Sequence, residues 1–237
     1  MKNSPICLIT GLGEGTGGHT AKKFAAAGYR VAMLARTEER LRHYEKKLKG
    51  SKGYICDVAN IELLKQTCEK IKEEMGPPQI LIHNAVKGNF ESLLEGKPEW
   101  LEKNFRINTT SLMYLAHAFI PDMLKAKKGV IIVTGNTAAK RGVANTPYFA
   151  PTKAAQRILA QSLAKDFGPK GIHVAYLIVD ASINTPWTRN RIKKQINQPD
   201  IIFTQPADIA DEIFHIAHQK RSAWSFDVEV RPDIETW

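Results

Sequence analysis

The stretch from Thr10 to Gly18, T-G-L-G-E-G-T-G-G, constrains this chain more than any other. A short apolar run, Ile6-Cys7-Leu8-Ile9, leads into it, and a helical stretch from Gly18 to Ala27 leads out. Strand, glycine turn and helix in that order form a layout that holds a pyrophosphate. The glycines let the backbone turn tightly and come close to phosphate oxygens, and the unpaired N–H groups of the helix start face the negative charge. A glycine-rich loop alone is a weak signal. Its place between a strand and an amphipathic helix strengthens it.

The rest of the chain repeats the alternation. Apolar runs predict strands near 6–10, 30–35, 53–56, 80–83, 129–134, 173–179 and 225–230. Helical periods predict helices near 18–27, 37–49, 60–75, 98–126, 152–167 and 207–220. Most of the strands are continuously apolar, as strands of a parallel sheet are when helices cover both faces. Alternating strands and helices with short connections imply a doubly wound, mostly parallel α/β sheet of about seven strands. The segment 184–204 has no clear assignment, and its basic centre, Arg189 to Lys194, fits a short helix over a cleft.

At 237 residues the chain fits one domain of the larger kind, and 43% hydrophobic with 24% charged residues argues against disorder. No apolar run reaches membrane-spanning length. Met1-Lys2-Asn3-Ser4 passes directly into the first strand, so no signal peptide and a cytoplasmic setting are expected. Cys7, Cys56 and Cys68 have no metal-type spacing and read as reduced core filler. The net charge of +10 is spread over helix faces, and no helix-turn-helix, zinc-finger or RNA-binding aromatic signature accompanies it. A solvated basic surface, rather than a nucleic-acid or membrane site, is the expectation. His215 and His218 share a helix face without a third ligand, so no metal is expected.

Taken together these features resemble the short-chain dehydrogenase/reductase family, over nearly the whole chain from Ile6 to about Val230. Thr10, Gly11, Gly15 and Gly17 match its T-G-x-x-x-G-x-G motif. Asp57, in Cys56-Asp57-Val58, falls where the family places an Asp beside an adenine. His83-Asn84-Ala85-Val86 corresponds to the family's N-N-A-G, keeping Asn84 and Ala85. Asn108 matches the Asn of the long fourth helix, and Lys153 the active-site lysine. The resemblance implies a single-domain Rossmann fold spanning 1–237, with a substrate lid near 184–204. It implies hydride transfer between a nicotinamide dinucleotide and a small carbonyl or alcohol substrate. A homodimer or homotetramer is also implied. The second strand ends in Ala35-Arg36 with no acid to hold an adenosine ribose. Arg36 either pairs with a 2′-phosphate, favouring NADP over NAD, or only solvates the strand end.

The family's proton chemistry uses a Tyr four residues before the Lys, an upstream Ser against the carbonyl, and an Asn that anchors a relay water. Here the frame reads Phe149-Ala150-Pro151-Thr152-Lys153, so the phenol position holds Phe. The Ser position holds Asn136, whose NH₂ can polarise a carbonyl, with Thr137 a second candidate. Tyr148 lies one residue early, on the wrong side of a regular helix. Pro147 and Pro151 flank it, so it either swings into the site from irregular backbone or is a half-buried aromatic. After the sixth strand, Asp180-Ala181 stands where the family has Pro-Gly, and Ile183 and Thr185 fit the nicotinamide and phosphate sides. Asp180 is a further proton donor to consider. Two readings follow: an oxidoreductase with a rebuilt proton-transfer site, or a nucleotide-binding regulator or scaffold without turnover.

Overall fold

Continuous apolar strands need two covered faces, and this chain supplies two separate cores. In the computed structural model, which describes residues 4–193 and 203–235, alternate side chains of each strand feed opposite layers. Ile6 and Leu8 of β1 (Ile6–Thr10) join one core, Cys7 and Ile9 the other. Ile172, Val174, Tyr176 and Ile178 of β6 (Ile172–Val179) alternate in the same way with Ala175, Leu177 and Val179. The first core is closed by α3 (Ile61–Glu74), α5 (Ser111–Lys125) and α6 (Ala150–Phe167). The second is closed by α1 (Thr16–Ala26), α2 (Glu38–Lys47) and α8 (Pro206–Ala217).

The main sheet has seven strands in the order β3-β2-β1-β4-β5-β6-β9, every pair parallel. The remaining strands are β2 (Arg30–Ala35), β3 (Lys52–Ile55), β4 (Ile80–His83), β5 (Gly129–Gly135) and β9 (Asp227–Val230). The chain starts in the middle, winds out to β3, then crosses to β4 and winds the other way. Where the direction reverses, between β1 and β4, the loops after the two strands part and leave a crevice at the carboxyl end of the sheet. At the far edge Asp227 and Glu229 are paired with Arg157 and Lys140, which turns the alternation of β9 into ion pairs on its outer side.

The helix expected over 98–126 is interrupted. It is α4 (Glu99–Phe105), a π turn at Arg106–Thr110, and then α5. Asn108-Thr109-Thr110 are weak helix formers whose side chains compete for backbone partners, and here Asn108 and Thr109 make tertiary bonds to Thr152 instead. Helix α6 begins at Ala150, with Pro151 in the first turn, where a missing N–H leaves no bond unmade. The unassigned stretch carries β7 (Ser182–Ile183), which pairs with β8 (Phe203–Thr204), and α7 (Pro186–Lys193). The expected lid over 184–204 therefore falls partly outside the described residues, at 194–202. Among the described residues no helix is long and apolar enough to cross a membrane.

Candidate active site

The glycine loop bends over the crevice because Gly11 and Gly17 carry no side chain where they meet the turn after β4. Gly11 has φ +70°, and a Cβ there would lie 2.7 Å from the Ala85 backbone. A Cβ on Gly17 would lie 2.6 Å from the Gly11 carbonyl oxygen and 3.0 Å from Asn84 Nδ2. The loop is thus pressed on the turn after β4, and Asn84 Nδ2 donates to the Gly11 carbonyl at 3.0 Å. Thr10 is fully buried beneath the loop rather than lining the crevice. Its Oγ1 accepts from the N–H groups of Asn84 and Ala85, both at 3.1 Å, and pins the turn.

The resulting cleft encloses ≈ 410 Å³. Gly11, Gly15 and Gly17 line it together with Asn84, Ala85, Ile183 and Thr185, and Thr185 sits against Gly15, where a Cβ would lie 2.9 Å from Thr185 Cγ2. Arg36, Asp57 and Val58 line its far end, joined by Arg40 from the start of α2. Arg40 belongs to no motif and was not singled out from sequence. The start of α1 faces this space with no side-chain cap and no acid in its first turn, unlike α3, which Asn60 caps. Uncapped N–H groups, a glycine-lined cradle and two guanidinium groups at the far end fit a dinucleotide carrying an extra phosphate.

The residues expected to carry chemistry lie deeper, and they are arranged differently from expectation. Lys153 is 1% exposed. Its Nζ donates to the Thr134 carbonyl at 3.0 Å and to Gln156 Oε1. Gln156 Nε2 in turn donates to the Asn108 carbonyl, and Tyr176 Oη donates to Gln156 Oε1 at 3.2 Å. Lys153 and Asn108 are therefore joined through Gln156, a residue not singled out from sequence. Its signal was a polar residue on the buried stripe of α6, three after Lys153. A methyl on Gly135 would reach within 2.3 Å of the buried Tyr176 ring. Gly135→Ala should push that ring off Gln156 and lower stability by about 1–3 kcal/mol in denaturant melts.

Both amide protons of Asn108 and both lone pairs of its main-chain carbonyl are taken, which leaves one lone pair on Oδ1 for a relay water. Its Oδ1 accepts from Lys87 N–H at 2.9 Å, and its Nδ2 donates to the Lys87 carbonyl and Thr152 Oγ1, each at 2.8 Å. Its carbonyl also accepts from His83 Nε2 at 3.2 Å. The tautomer follows from the other end of the ring. Thr10 Oγ1 already accepts twice, so its one proton goes to His83 Nδ1 at 3.1 Å and the imidazole proton sits on Nε2. Burial, and then the nearby Lys153 charge, pull His83 down to about 4. Burial alone brings Lys153 down to about 7, since no carboxylate faces its ammonium. The neutral His83 adds no charge at the pH where Lys153 titrates.

Tyr148 is a correction to the expected site. Its hydroxyl donates to the Leu93 carbonyl at 2.6 Å, its ring meets Trp100 edge-on, and its own carbonyl is held by Asn104 Nδ2. Irregular backbone before Pro151 does not swing the phenol into the cleft, because loop 86–96 captures it. Phe149 is equally buried, its ring 5.1 Å from that of Phe90 and over the backbone of Gly88. Asn136 follows β5, and its Oδ1 is buried without a hydrogen-bond partner. Asp180 N–H is bonded to the Val230 carbonyl, which ties that loop to the sheet edge.

A parallel doubly wound sheet with a glycine cradle at its switch point defines a dinucleotide-binding α/β domain. The family model for short chain dehydrogenase matches residues 5–196, and the chain belongs to that family. It is 31% identical over 161 residues to short-chain dehydrogenase/reductase 3 of Bos taurus, a match that takes in 66% of this chain and 53% of that protein. The chain thus spans about half the length of that relative. An uncharacterized oxidoreductase of Staphylococcus saprophyticus is 26% identical over 237 residues, covering 96% of this chain and 97% of that one. Among solved structures, an NADPH-bound short chain oxidoreductase of Pseudomonas aeruginosa PAO1, described as containing an atypical catalytic center, superposes with a TM-score of 0.87. It is 21% identical, with 98% of this chain and 96% of the other covered.

Proposed function

We propose that residues 1–237 form one NADP(H)-dependent oxidoreductase domain that moves hydride between nicotinamide and a carbonyl or alcohol carbon of a small molecule. The carrying observation is the cleft, with its uncapped α1 start at one wall and Arg36 and Arg40 at the far end. In this reading the first turn of α1 binds the pyrophosphate and the two arginines pair with the 2′-phosphate. Asp57 and Val58 flank the adenine, and Ile183 and Thr185 border the nicotinamide and phosphate. The Pseudomonas aeruginosa structure, crystallised with NADPH, supports the same cofactor.

When bound, the dinucleotide supplies or accepts the hydride. The chain's part is to orient the partner and manage a proton. Asn136 polarises the carbonyl, and Lys153 and Asn108 hold the floor through Gln156. Phe149 stands at the phenol position of the family, so residue 149 gives no proton. The alkoxide formed on reduction takes its proton from water at the cleft mouth.

NADPH fluorescence titration tests the cofactor and a wide carbonyl panel tests the turnover. Arg36→Ala should weaken NADPH about tenfold, the loss of one charged hydrogen bond, and leave NADH nearly unchanged. Equal losses for both would reduce Arg36 to a strand-end solvating residue. The buried Phe149 also favours a second reading, a binder without turnover. Its signature is saturable NADPH binding with no consumption by any acceptor. A homodimer or homotetramer, implied by the family resemblance, is tested by sedimentation of the purified chain.

A further inference from the structure

Apolar side chains left in water are informative when they gather in one place. Among the described residues ten large hydrophobics are exposed, and six of them come from three short segments around the cleft mouth. Val86, Phe90, Leu93 and Leu94 are on the loop after β4, Val143 on the loop before α6, and Trp187 on α7. Leu93 is 67% exposed, Trp187 65%, Val86 61% and Val143 55%.

The hydrogen bonds and ring contacts place these segments together. Val86 and Trp187 line the same cleft as the glycine loop. The Leu93 carbonyl is held by Tyr148, Phe90 packs on Phe149, and Val143 N–H is bonded to Thr146 Oγ1. The loop after β4 and the loop before α6 are therefore one surface, joined at Tyr148-Phe149 and continuous with the cleft at Val86. Tyr148 anchors this rim by its phenol rather than serving the chemistry.

We propose that this rim binds the apolar body of the substrate, so that the site takes medium-chain aliphatic or aryl carbonyls and alcohols rather than small polar ones. This rests on the oxidoreductase reading above. The continuity with the cleft carries it: an apolar tail leaving the reacting carbon at the mouth meets Val86 first, then Phe90, Leu93 and Leu94 along the loop after β4. Each methylene laid on such a surface leaves water, and full burial of one is equivalent to about a fourfold gain in affinity.

The test is calorimetric binding of 1-alkanols from butanol to decanol to the NADPH-loaded protein, which reads affinity without turnover. The expected result is a dissociation constant falling about two- to fourfold for each added methylene, with a negative heat-capacity change. Leu93→Ser with Leu94→Ser should flatten that series and leave NADPH affinity, read by its own fluorescence, unchanged. NADPH binding with a flat alkanol series in the wild type overturns this inference and spares the cofactor reading. Failure to bind NADPH removes the cofactor reading itself. Co-sedimentation with phosphatidylcholine vesicles that the double variant abolishes, alongside a flat alkanol series, would make the rim a lipid-surface contact and also overturn it.

Discussion

Gly17→Ala is expected to weaken NADPH binding by about 10- to 100-fold while leaving the protein folded. The added Cβ would meet the Gly11 carbonyl oxygen at 2.6 Å and the Leu12 Cα at 3.2 Å, both backbone atoms that cannot rotate away. The Asn84 amide, at 3.0 Å, would also have to move, and it is the group that ties the loop to the β4 turn. Overpacking of this kind strains a tight site by about 1–3 kcal/mol, and each 1.4 kcal/mol is tenfold in a dissociation constant. The strain falls on the loop because the sheet beneath it is locked in both cores. NADPH fluorescence titration measures the affinity, and a thermal melt without ligand measures the fold. Gly13→Ala is the matched control, since a Cβ there meets nothing within 4 Å. Equal affinity for both variants would show that the cradle is not a phosphate site.

The contrast between these two glycines shows what a sequence can carry. Strand, turn and helix around Thr10 to Gly18 were legible because chain order and glycine spacing encode them directly. So were the five inner strands of the main sheet, since burial on both faces leaves a continuous apolar run, while the edge strand β9 shows through the alternation of Asp227 and Glu229 with Val228 and Val230. The deep site was less legible because its bonds join residues distant in the chain. Gln156 reaches the Asn108 carbonyl across 48 positions, and Tyr148 reaches Leu93 across 55. The proline pattern around Tyr148 correctly loosened its backbone, yet direction was decided by a carbonyl on another loop. The π turn at Asn108 was hidden for a related reason: a helix with one wide turn keeps nearly the same apolar period as a regular one.

Stability should fall steeply on acidification, and His83 should account for a separable share of the loss. In the unfolded chain its imidazole takes a proton near 6.5, whereas in the folded chain burial and the Lys153 charge hold that step down to about 4. Between those values the unfolded chain binds more protons, so the contribution of His83 is complete above pH 6.5 and declines toward pH 4. At about 1.4 kcal/mol for each tenfold change in proton activity, the loss attributable to this one ring approaches about 3 kcal/mol. The ring cannot escape by rearranging. A proton on Nδ1 would face Thr10, whose hydroxyl already accepts from two backbone N–H groups. His83→Asn removes the titration, and an amide keeps one donor and one acceptor for the same two neighbours. Urea melts of both proteins at pH 4.5 and 7.5 should therefore differ, with the variant losing less on acidification. Other buried groups, His173 among them, contribute to both proteins and cancel in the comparison. Lys153 continues the trend at higher pH. Its folded step lies at about 7 against 10.5 unfolded, so stability keeps rising above pH 7. The rise ends when the thiols of Cys7, Cys56 and Cys68, held up by burial, ionise first in the unfolded chain near pH 9. Parallel pH curves for wild type and His83→Asn would mean that folding does not shift the titration of this imidazole, and that the buried ring takes its proton as readily as in the unfolded chain.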